Sequence, residues 1–159
     1  MSFERTVVGV AAMLSGLLAG AGIAAQEVSG GPTTAAKPMP ANPSASPAML
    51  DAAGADTKNW LHANGCYEQT RHYAGAHINV GNVGRIKPAF VFQTAVLESM
   101  QTAPIVVDGV MFLTTSFNHV YAIDAATGEE FWHYKHKVGP IVTVCCGNNN
   151  RGVAIEGDR

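Results

Sequence analysis

Short apolar runs separated by turn residues dominate the chain between residues 104 and 134. Residues 104–107 and 110–114 are two such runs, and Asp108-Gly109 joins them. An Asp-Gly pair between apolar runs predicts a β-hairpin with a type I′ turn. Residues 119–123 and 130–134 supply two more strands. The pattern therefore predicts one four-stranded antiparallel sheet.

The turn between the last two strands carries a longer pattern. Residues 122–132 read Ala-Ile-Asp-Ala-Ala-Thr-Gly-Glu-Glu-Phe-Trp and fit A-x-D-x-x-T-G-x-x-x-W. Asp124 and Thr127 suit a chain reversal because their side chains bond nearby backbone, and Gly128 accepts positive φ. A lone hairpin cannot bury Trp132, so a neighbouring sheet must cover it, as in an array of repeated blades. The alternative is an ordinary hairpin with a buried Trp.

The flanking segments show weaker patterns. Residues 87–94 contain Phe-Val-Phe and predict a further strand, because aromatic and β-branched residues favour strands. Residues 26–58 hold five prolines among small and polar residues, which predicts an exposed, mobile linker with at most a short helical turn in 51–58. Residues 153–159 predict the opening strand and turn of a second blade. One blade cannot close a ring, so we expect the N-terminal piece of a longer protein.

The first 25 residues have the features of a secretory signal peptide. Arg5 lies before the apolar stretch 7–23, and Ala24-Ala25 offers a cleavage site before Gln26. The alternative is a retained membrane anchor, but the stretch is short and rich in Gly and Ala. We therefore expect export to the periplasm and no stable membrane span after cleavage.

Composition narrows the classes of protein further. The length of 159 residues allows one modest domain, and a charged fraction of 14% is too low for a highly charged disordered chain. The net charge of −2, without a basic stripe, argues against binding to nucleic acid.

Two adjacent cysteines are the first chemical feature. An oxidising compartment favours disulfides, and Cys145-Cys146 are neighbours in the chain. Consecutive Cα atoms lie about 3.8 Å apart, less than the roughly 4.4–6.8 Å of relaxed disulfides, so a bond between them is strained. Strain of this kind is often found at functional sites. The alternatives are that Cys145 and Cys146 are free thiols, that they bind a metal ion as a pair, or that one of them is bonded to Cys66.

Arg151 is the second chemical feature, and it follows a polar loop of Gly and Asn. Its planar guanidinium suits a ligand that bears carboxylates. The loop lacks the Lys-Ser/Thr ending of a phosphate-binding loop. A surface Arg in a polar turn is the alternative.

These features together resemble the PQQ-dependent (quinoprotein) methanol and ethanol dehydrogenases. The resemblance covers residues 59–159 and rests on Ala-Pro-Ile-Val-Val-Asp-Gly at 103–109, the motif at 122–132, the cysteine pair, and Asn-Arg-Gly-Val-Ala at 150–154. It implies an all-β fold, an eight-bladed β-propeller, of which this chain holds the first blade and the start of the next.

The resemblance also implies a function and a set of binding residues. It implies oxidation of a primary alcohol by hydride transfer to pyrroloquinoline quinone (PQQ), with calcium or a lanthanide as metal and a cytochrome c as electron acceptor. Cys145 and Cys146 would stack on the quinone as a disulfide ring, and Arg151 would bind its polar edge. Gln101 occupies the position where the family often has a cofactor-contacting Glu. The resemblance assigns no catalytic residue and no metal ligand to this chain.

Two other classes of protein are weighed against this hypothesis. A non-catalytic propeller scaffold, similar to outer-membrane assembly factors, shares the Trp motif but lacks the cysteine pair and the Asn-Arg-Gly triplet. A small secreted binding module, complete in itself, fits poorly with a chain that stops after one blade.

Overall fold

The computed structural model describes residues 31–32, 37–39, 42–139 and 144–159. The predicted signal peptide lies outside the described residues, and its cleavage stays a prediction. Within the described ranges, no helix is both long and apolar enough to cross a bilayer.

A five-stranded antiparallel sheet and one short helix make up the regular structure of the described residues. The elements are β1 Gly31–Pro32, α1 Pro47–Asp51, β2 Ile105–Val107, β3 Val110–Thr114, β4 Val120–Asp124 and β5 Glu130–Lys135, with 3₁₀ turns at Ala53–Ala55, Val83–Arg85 and Ser116–Asn118. The strand order is β1-β5-β4-β3-β2. Strands β2 to β5 are the predicted four-stranded unit, which is confirmed, and β1 pairs with the outer edge of β5.

Both hairpin turns follow from their side chains. Asp108 and Gly109 have φ of 50° and 78°, the two positive values that a type I′ turn requires. In the turn after β4, the Asp124 carboxylate accepts hydrogen bonds from the backbone N–H groups of Ala126 (2.9 Å) and Thr127 (3.1 Å). The predicted turn chemistry is confirmed at both places.

One face of the sheet carries Trp132. The strand register places Phe112, Ala122 and Trp132 side by side on that face, and the ring centroids of Phe112 and Trp132 are 6.0 Å apart. Trp132 is half-buried and lines an apolar cavity of about 350 Å³ together with Met39 and Ile155. The indole is therefore packed on its sheet but leaves room for a further layer above it.

The structure differs from the predicted linker over residues 42–58. Ala45, Leu50 and Ala53 are buried, and the Ser46 hydroxyl accepts a hydrogen bond of 3.3 Å from the N–H of Met49 at the start of α1. These few apolar residues stand among prolines and small or polar residues and do not predict a buried segment, yet they pack with Val107 and Phe112 on the Trp-bearing face of the sheet. The predicted helical turn within 51–58 is present as the 3₁₀ turn Ala53–Ala55.

Two predicted strands are wrong. Residues 87–94 do not form a strand, although Phe90 and Phe92 pack on the face opposite Trp132, against the buried Tyr121 and its neighbours. Residues 153–159 form no strand but an isolated bridge, in which Gly157 exchanges two backbone hydrogen bonds with Ala45 (2.9 and 2.7 Å). The predicted turn is present, because Glu156 and Arg159 exchange two backbone hydrogen bonds (3.0 and 3.2 Å). Both segments have the composition of strands, but strand formation also requires a partner backbone, which neither segment has here over more than one residue.

Candidate functional site

The cysteine pair lies in an exposed segment of the chain beyond Lys135, the last residue of β5. The sulfur atoms of Cys145 and Cys146 are 3.0 Å apart and are not bonded. Cys146 has a positive φ of 69°, and its carbonyl accepts a hydrogen bond of 2.7 Å from the Asn149 side chain. The hydrogen bond with Cys145 raises the pKa of the Cys146 thiol above its usual value. The loop thus presents two neighbouring sulfurs to solvent, and the disulfide between them stays a prediction.

Cys66 occupies a different environment. Its side chain is 5% exposed and packs with Leu50 and Leu61 in the core beneath α1. Its sulfur lies 3.4 Å from the Thr70 hydroxyl. The structure therefore buries Cys66 while it exposes the other two cysteines, which speaks against a bond between Cys66 and either of them.

A buried hydroxyl connects two of the segments that carry predicted site residues. Thr114, the last residue of β3, is 0% exposed. Its Oγ1 donates a hydrogen bond of 2.7 Å to Oδ1 of Asn150 and lies 3.0 Å from Oγ1 of Thr102. Thr102 follows Gln101, and Asn150 precedes Arg151. The end of β3 thus holds both segments.

Backbone contacts bring the same two segments together directly. The N–H of Ala103 donates a hydrogen bond of 3.3 Å to the carbonyl of Arg151. The next residue, Gly152, has a φ of +122°, and a Cβ at that position would lie 2.8 Å from the Ala103 carbonyl oxygen. A side chain would therefore fill this close approach, and Gly is the residue that permits it.

A second buried hydroxyl secures the cysteine loop. Ser116 is 1% exposed, and its Oγ donates a hydrogen bond of 2.6 Å to the carbonyl of Ser99. The same hydroxyl lies 3.5 Å from Oδ1 of Asn149, and the N–H of Phe117 donates a bond of 3.0 Å to the carbonyl of Asn148. Through these bonds, the turn after β3 joins the segment before β2 to the loop that follows the cysteine pair.

All four predicted cofactor-binding residues lie at one end of the sheet. The segment 99–103 precedes β2 and the turn 115–119 follows β3, so antiparallel pairing places both at the same end of the strands, where the loop 144–152 joins them. This end of the sheet, formed by residues 99–103, 115–119 and 144–152, is called the binding edge. Gln101, Cys145, Cys146 and Arg151 are all exposed there.

Sequence reasoning assigned no structural role to the residues that assemble this end of the sheet, although Asn150 belongs to the Asn-Arg-Gly triplet. They are Thr102, Thr114, Ser116, Asn149 and Asn150. A second local signal is the run Thr114-Thr115-Ser116, which places three hydroxyls at the end of the buried strand β3. Such hydroxyls need partners when they are buried.

The chemistry of this edge suits a flat, anionic ligand. The Arg151 guanidinium can donate two parallel bonds to a carboxylate, and the Gln101 amide can both donate and accept. The adjacent sulfurs add a polarisable surface. This set of donors fits an aromatic carboxylic acid. In the part of the chain that the structure describes, no three His, Cys, Asp or Glu side chains are grouped to hold a metal ion.

Comparison with known proteins identifies a family for this arrangement. Residues 60–159 match the family model described as "PQQ: Glucose/ethanol/alcohol dehydrogenase, beta-propeller domain". The quinoprotein alcohol dehydrogenase PedH of Pseudomonas putida is 38% identical over 108 residues, which are 65% of this chain and 18% of PedH. The quinoprotein ethanol dehydrogenase of Pseudomonas aeruginosa is 36% identical over 84 residues, or 52% of this chain and 14% of that protein.

Solved structures agree with the sequence matches. The quinohemoprotein alcohol dehydrogenase ADHIIG of Pseudomonas putida HK5 superposes with a TM-score of 0.65 at 30% identity, over 74% of this chain and 18% of its own. The enzyme from Comamonas testosteroni gives 0.57 at 28% identity, over 69% and 18%. The chain thus spans less than a fifth of the length of these relatives. Since the family model matches well over half of the residues, the chain belongs to the PQQ-dependent alcohol dehydrogenase β-propeller family.

Proposed function

We propose that this chain is the N-terminal part of a periplasmic PQQ-dependent dehydrogenase that oxidises primary alcohols of the methanol or ethanol type. One observation carries the proposal. Buried hydroxyls and backbone bonds unite three separate loops at one end of a sheet, and these loops expose two sulfurs, a guanidinium and an amide. When bound, PQQ supplies the two-electron oxidation that no side chain offers.

The chain's own residues would bind and orient that cofactor. Arg151 would pair with carboxylates on its edge, since charge-assisted bonds to a guanidinium are among the stronger polar contacts in proteins. Gln101 would contact the same ligand through a neutral amide, in place of the Glu that the family often has. Cys145 and Cys146 would lie against its flat face.

The rest of the machinery would come from other parts of the full-length protein. A calcium or lanthanide ion would balance the negative charge of the cofactor, and a cytochrome c would accept the electrons. The first role requires carboxylate ligands, and we assign none of the residues described here to it.

A non-catalytic propeller scaffold is not favoured as an alternative. The matched family model is that of dehydrogenases, and the four relatives compared above are named as alcohol dehydrogenases or ethanol dehydrogenases. An exposed cysteine pair and an exposed Arg151 at the same edge have no evident purpose in a scaffold.

Replacing Arg151 tests the proposal in the full-length enzyme. We expect Arg151→Ala to weaken PQQ binding by about tenfold or more, because a charge-assisted bond contributes roughly 1.5–3 kcal/mol. The affinity of Arg151→Lys for PQQ should lie between those of the unaltered enzyme and Arg151→Ala, since Lys keeps the charge but lacks the planar fork of the guanidinium. The measurement is the equilibrium titration of apoenzyme with PQQ, followed by the absorbance of the bound quinone.

The matched control is Arg85→Ala, because Arg85 is also exposed but lies in the 3₁₀ turn Val83–Arg85, outside the loops that form the site. Arg85→Ala should bind PQQ as the unaltered enzyme does. If Arg151→Ala bound PQQ with unchanged affinity, the role given to this edge of the sheet would be wrong.

Export and the cysteine bond are tested by one mass map of the secreted full-length protein under non-reducing conditions. We expect the mature chain to begin at Gln26, and the peptide with Cys145 and Cys146 to be lighter by the mass of two hydrogen atoms than its reduced form. Export to an oxidising compartment favours the bond. An intact Met1, or a cross-link from Cys66 to either cysteine, would contradict these expectations.

A further inference from the structure

The hydroxyl of Thr114 lies at the centre of a directed chain of hydrogen bonds. A threonine hydroxyl has one hydrogen and two lone pairs. Thr114 uses its hydrogen for Oδ1 of Asn150 at 2.7 Å, so the 3.0 Å contact with Thr102 requires Thr102 to be the donor. Oγ1 of Thr102 in turn accepts from the N–H of Thr114 at 3.2 Å. Both hydroxyl hydrogens and the N–H of Thr114 are therefore used in hydrogen bonds.

The chain of bonds continues into the loop of Arg151. Oδ1 of Asn150 also accepts from the N–H of Gly152 at 2.9 Å, while Nδ2 of Asn150 donates to Oδ1 of Asn118 at 2.8 Å. Asn150 thus links the sheet, through Thr114, to the loop backbone that follows Arg151, through Gly152. The backbone of Arg151 is confined between these two anchors.

We propose that Thr114 is a positioning residue of the cofactor site, which holds the loops of Gln101 and Arg151 in the arrangement that binds the ligand. This inference rests on the proposed function. Thr114 itself is fully buried and does not touch the exposed edge. It acts through Thr102 and Asn150, each of which is the chain neighbour of a predicted binding residue.

The physical basis is preorganisation. A loop that is ordered before binding does not lose its conformational freedom on binding, so affinity is higher. Without the Thr114 hydroxyl, the backbone pairing of Thr114 with Val120 remains, because it does not involve the side chain. What is lost is the side-chain link from Thr114 to Thr102 and Asn150, whereas the N–H of Thr114 can still donate to Thr102. The fold of the blade therefore persists while the binding edge loosens.

The test is PQQ titration of the full-length apoenzyme carrying Thr114→Val, which keeps the side-chain shape but removes the hydroxyl. We expect its Kd for PQQ to rise about tenfold, because the hydroxyl's bonds to Asn150 and Thr102 are lost while the N–H of Thr114 still bonds Thr102. Thr114→Ser keeps the hydroxyl, so its Kd for PQQ should stay within about twofold of that of the unaltered enzyme. The thermal midpoint of each apo form is measured beside the titration.

Thr115→Val is the matched control. Thr115 is buried as well, but among the residues that the structure describes its hydroxyl bonds only to the carbonyl of Ser116 in its own turn. It should leave the Kd unchanged. If Thr115→Val weakened PQQ binding as much as Thr114→Val, the effect would be general loosening of the sheet end, and the inference would be overturned.

Asn150→Ala provides a second route should Thr114→Val fail to fold, because Asn150 is only half-buried. It should raise the Kd as Thr114→Val does. The double variant should raise the Kd by less than the product of the two single effects, since both remove the bond between Thr114 and Asn150. Additive effects would overturn the inference.

The outcomes separate this inference from the proposed function. If Arg151→Ala weakens PQQ binding while Thr114→Val and Asn150→Ala do not, the site is correct and the positioning role is wrong. If Arg151→Ala has no effect, the proposed function itself fails.

Discussion

A purified chain of these 159 residues should show no dye-linked oxidation of methanol or ethanol above the reagent blank, even with PQQ and calcium or a lanthanide added. The four candidate binding side chains all lie on the surface of a single sheet end. An oxidation site must exclude water and fix its reactants on several sides. Residues from a single sheet surround a flat ligand on one side at most.

The exposed apolar surface adds a second reason. Leu97 is fully exposed and lines an apolar groove together with Met100 and Met111, and Trp132 lines a second apolar cavity. Contiguous apolar surfaces are normally covered by other parts of a protein, and when uncovered they favour aggregation. We expect the isolated chain to be oligomeric or insoluble, which light scattering would show.

The full-length enzyme in the same assay is the positive control. Turnover by the isolated chain that rises with its concentration, and that Arg151→Ala abolishes, would contradict the expectation and would mean that one sheet suffices for catalysis.

The sheet was predictable where local chemistry decides it. Asp108-Gly109 provides the two positive φ angles of a type I′ turn, and Asp124 bonds the backbone of its own turn, so both hairpins are encoded within a few residues. Alternation along β4 then places Val120 and Ala122 on one face, where they pair with Thr114 and Phe112.

The parts that sequence reasoning misjudged depend on distant partners. Residues 87–94 have strand composition but lie against the sheet through Phe90 and Phe92 without pairing. Residues 42–58 lack any period, yet Leu50 is buried against Leu61 and Val107. In both segments, the decisive contact is with residues far along the chain, which local patterns do not record.

The candidate site divides in the same way. Cys145, Cys146 and Arg151 were identified because their side chains carry recognisable chemistry. Thr114 was missed because a threonine at the end of a strand is ordinary in sequence. Only its burial and its bond to Asn150, 36 residues away, distinguish it.

Two buried imidazoles on the face opposite Trp132 make the blade sensitive to acid. Nε2 of His133 lies 2.9 Å from Nδ1 of His119, and the ring of Tyr121 stacks on His133 at 3.8 Å. In the described structure, Nε2 of His119 has no hydrogen-bond partner. Burial lowers the pKa of His119, and burial, the neighbouring His119 and Lys135 lower the pKa of His133 from 6.5 to about 4.

The direction of the effect follows from proton binding. Between pH 6.5 and about 4, His133 is protonated in the unfolded chain but neutral in the folded one. The unfolded state therefore binds more protons, and the free energy of unfolding falls as the pH falls through this window. Above pH 6.5 both states are neutral, and the full stability is present. Asp124 does not produce this decline, because its pKa is lowered below 3.8, outside most of the window.

We expect the free energy of unfolding to fall by about 2 kcal/mol between neutral pH and the lower end of this window. The full shift in the pKa of His133, at about 1.4 kcal/mol per pKa unit, would give a larger loss, but solvent screens part of the charge. Urea denaturation of the full-length protein at a series of pH values measures it. His133→Gln can still bond to His119 but does not titrate, so its profile should be flatter. His136→Gln replaces an exposed imidazole near the end of the same strand and should leave the profile unchanged. Identical slopes for the unaltered protein and His133→Gln would show that the imidazole pair does not control acid stability.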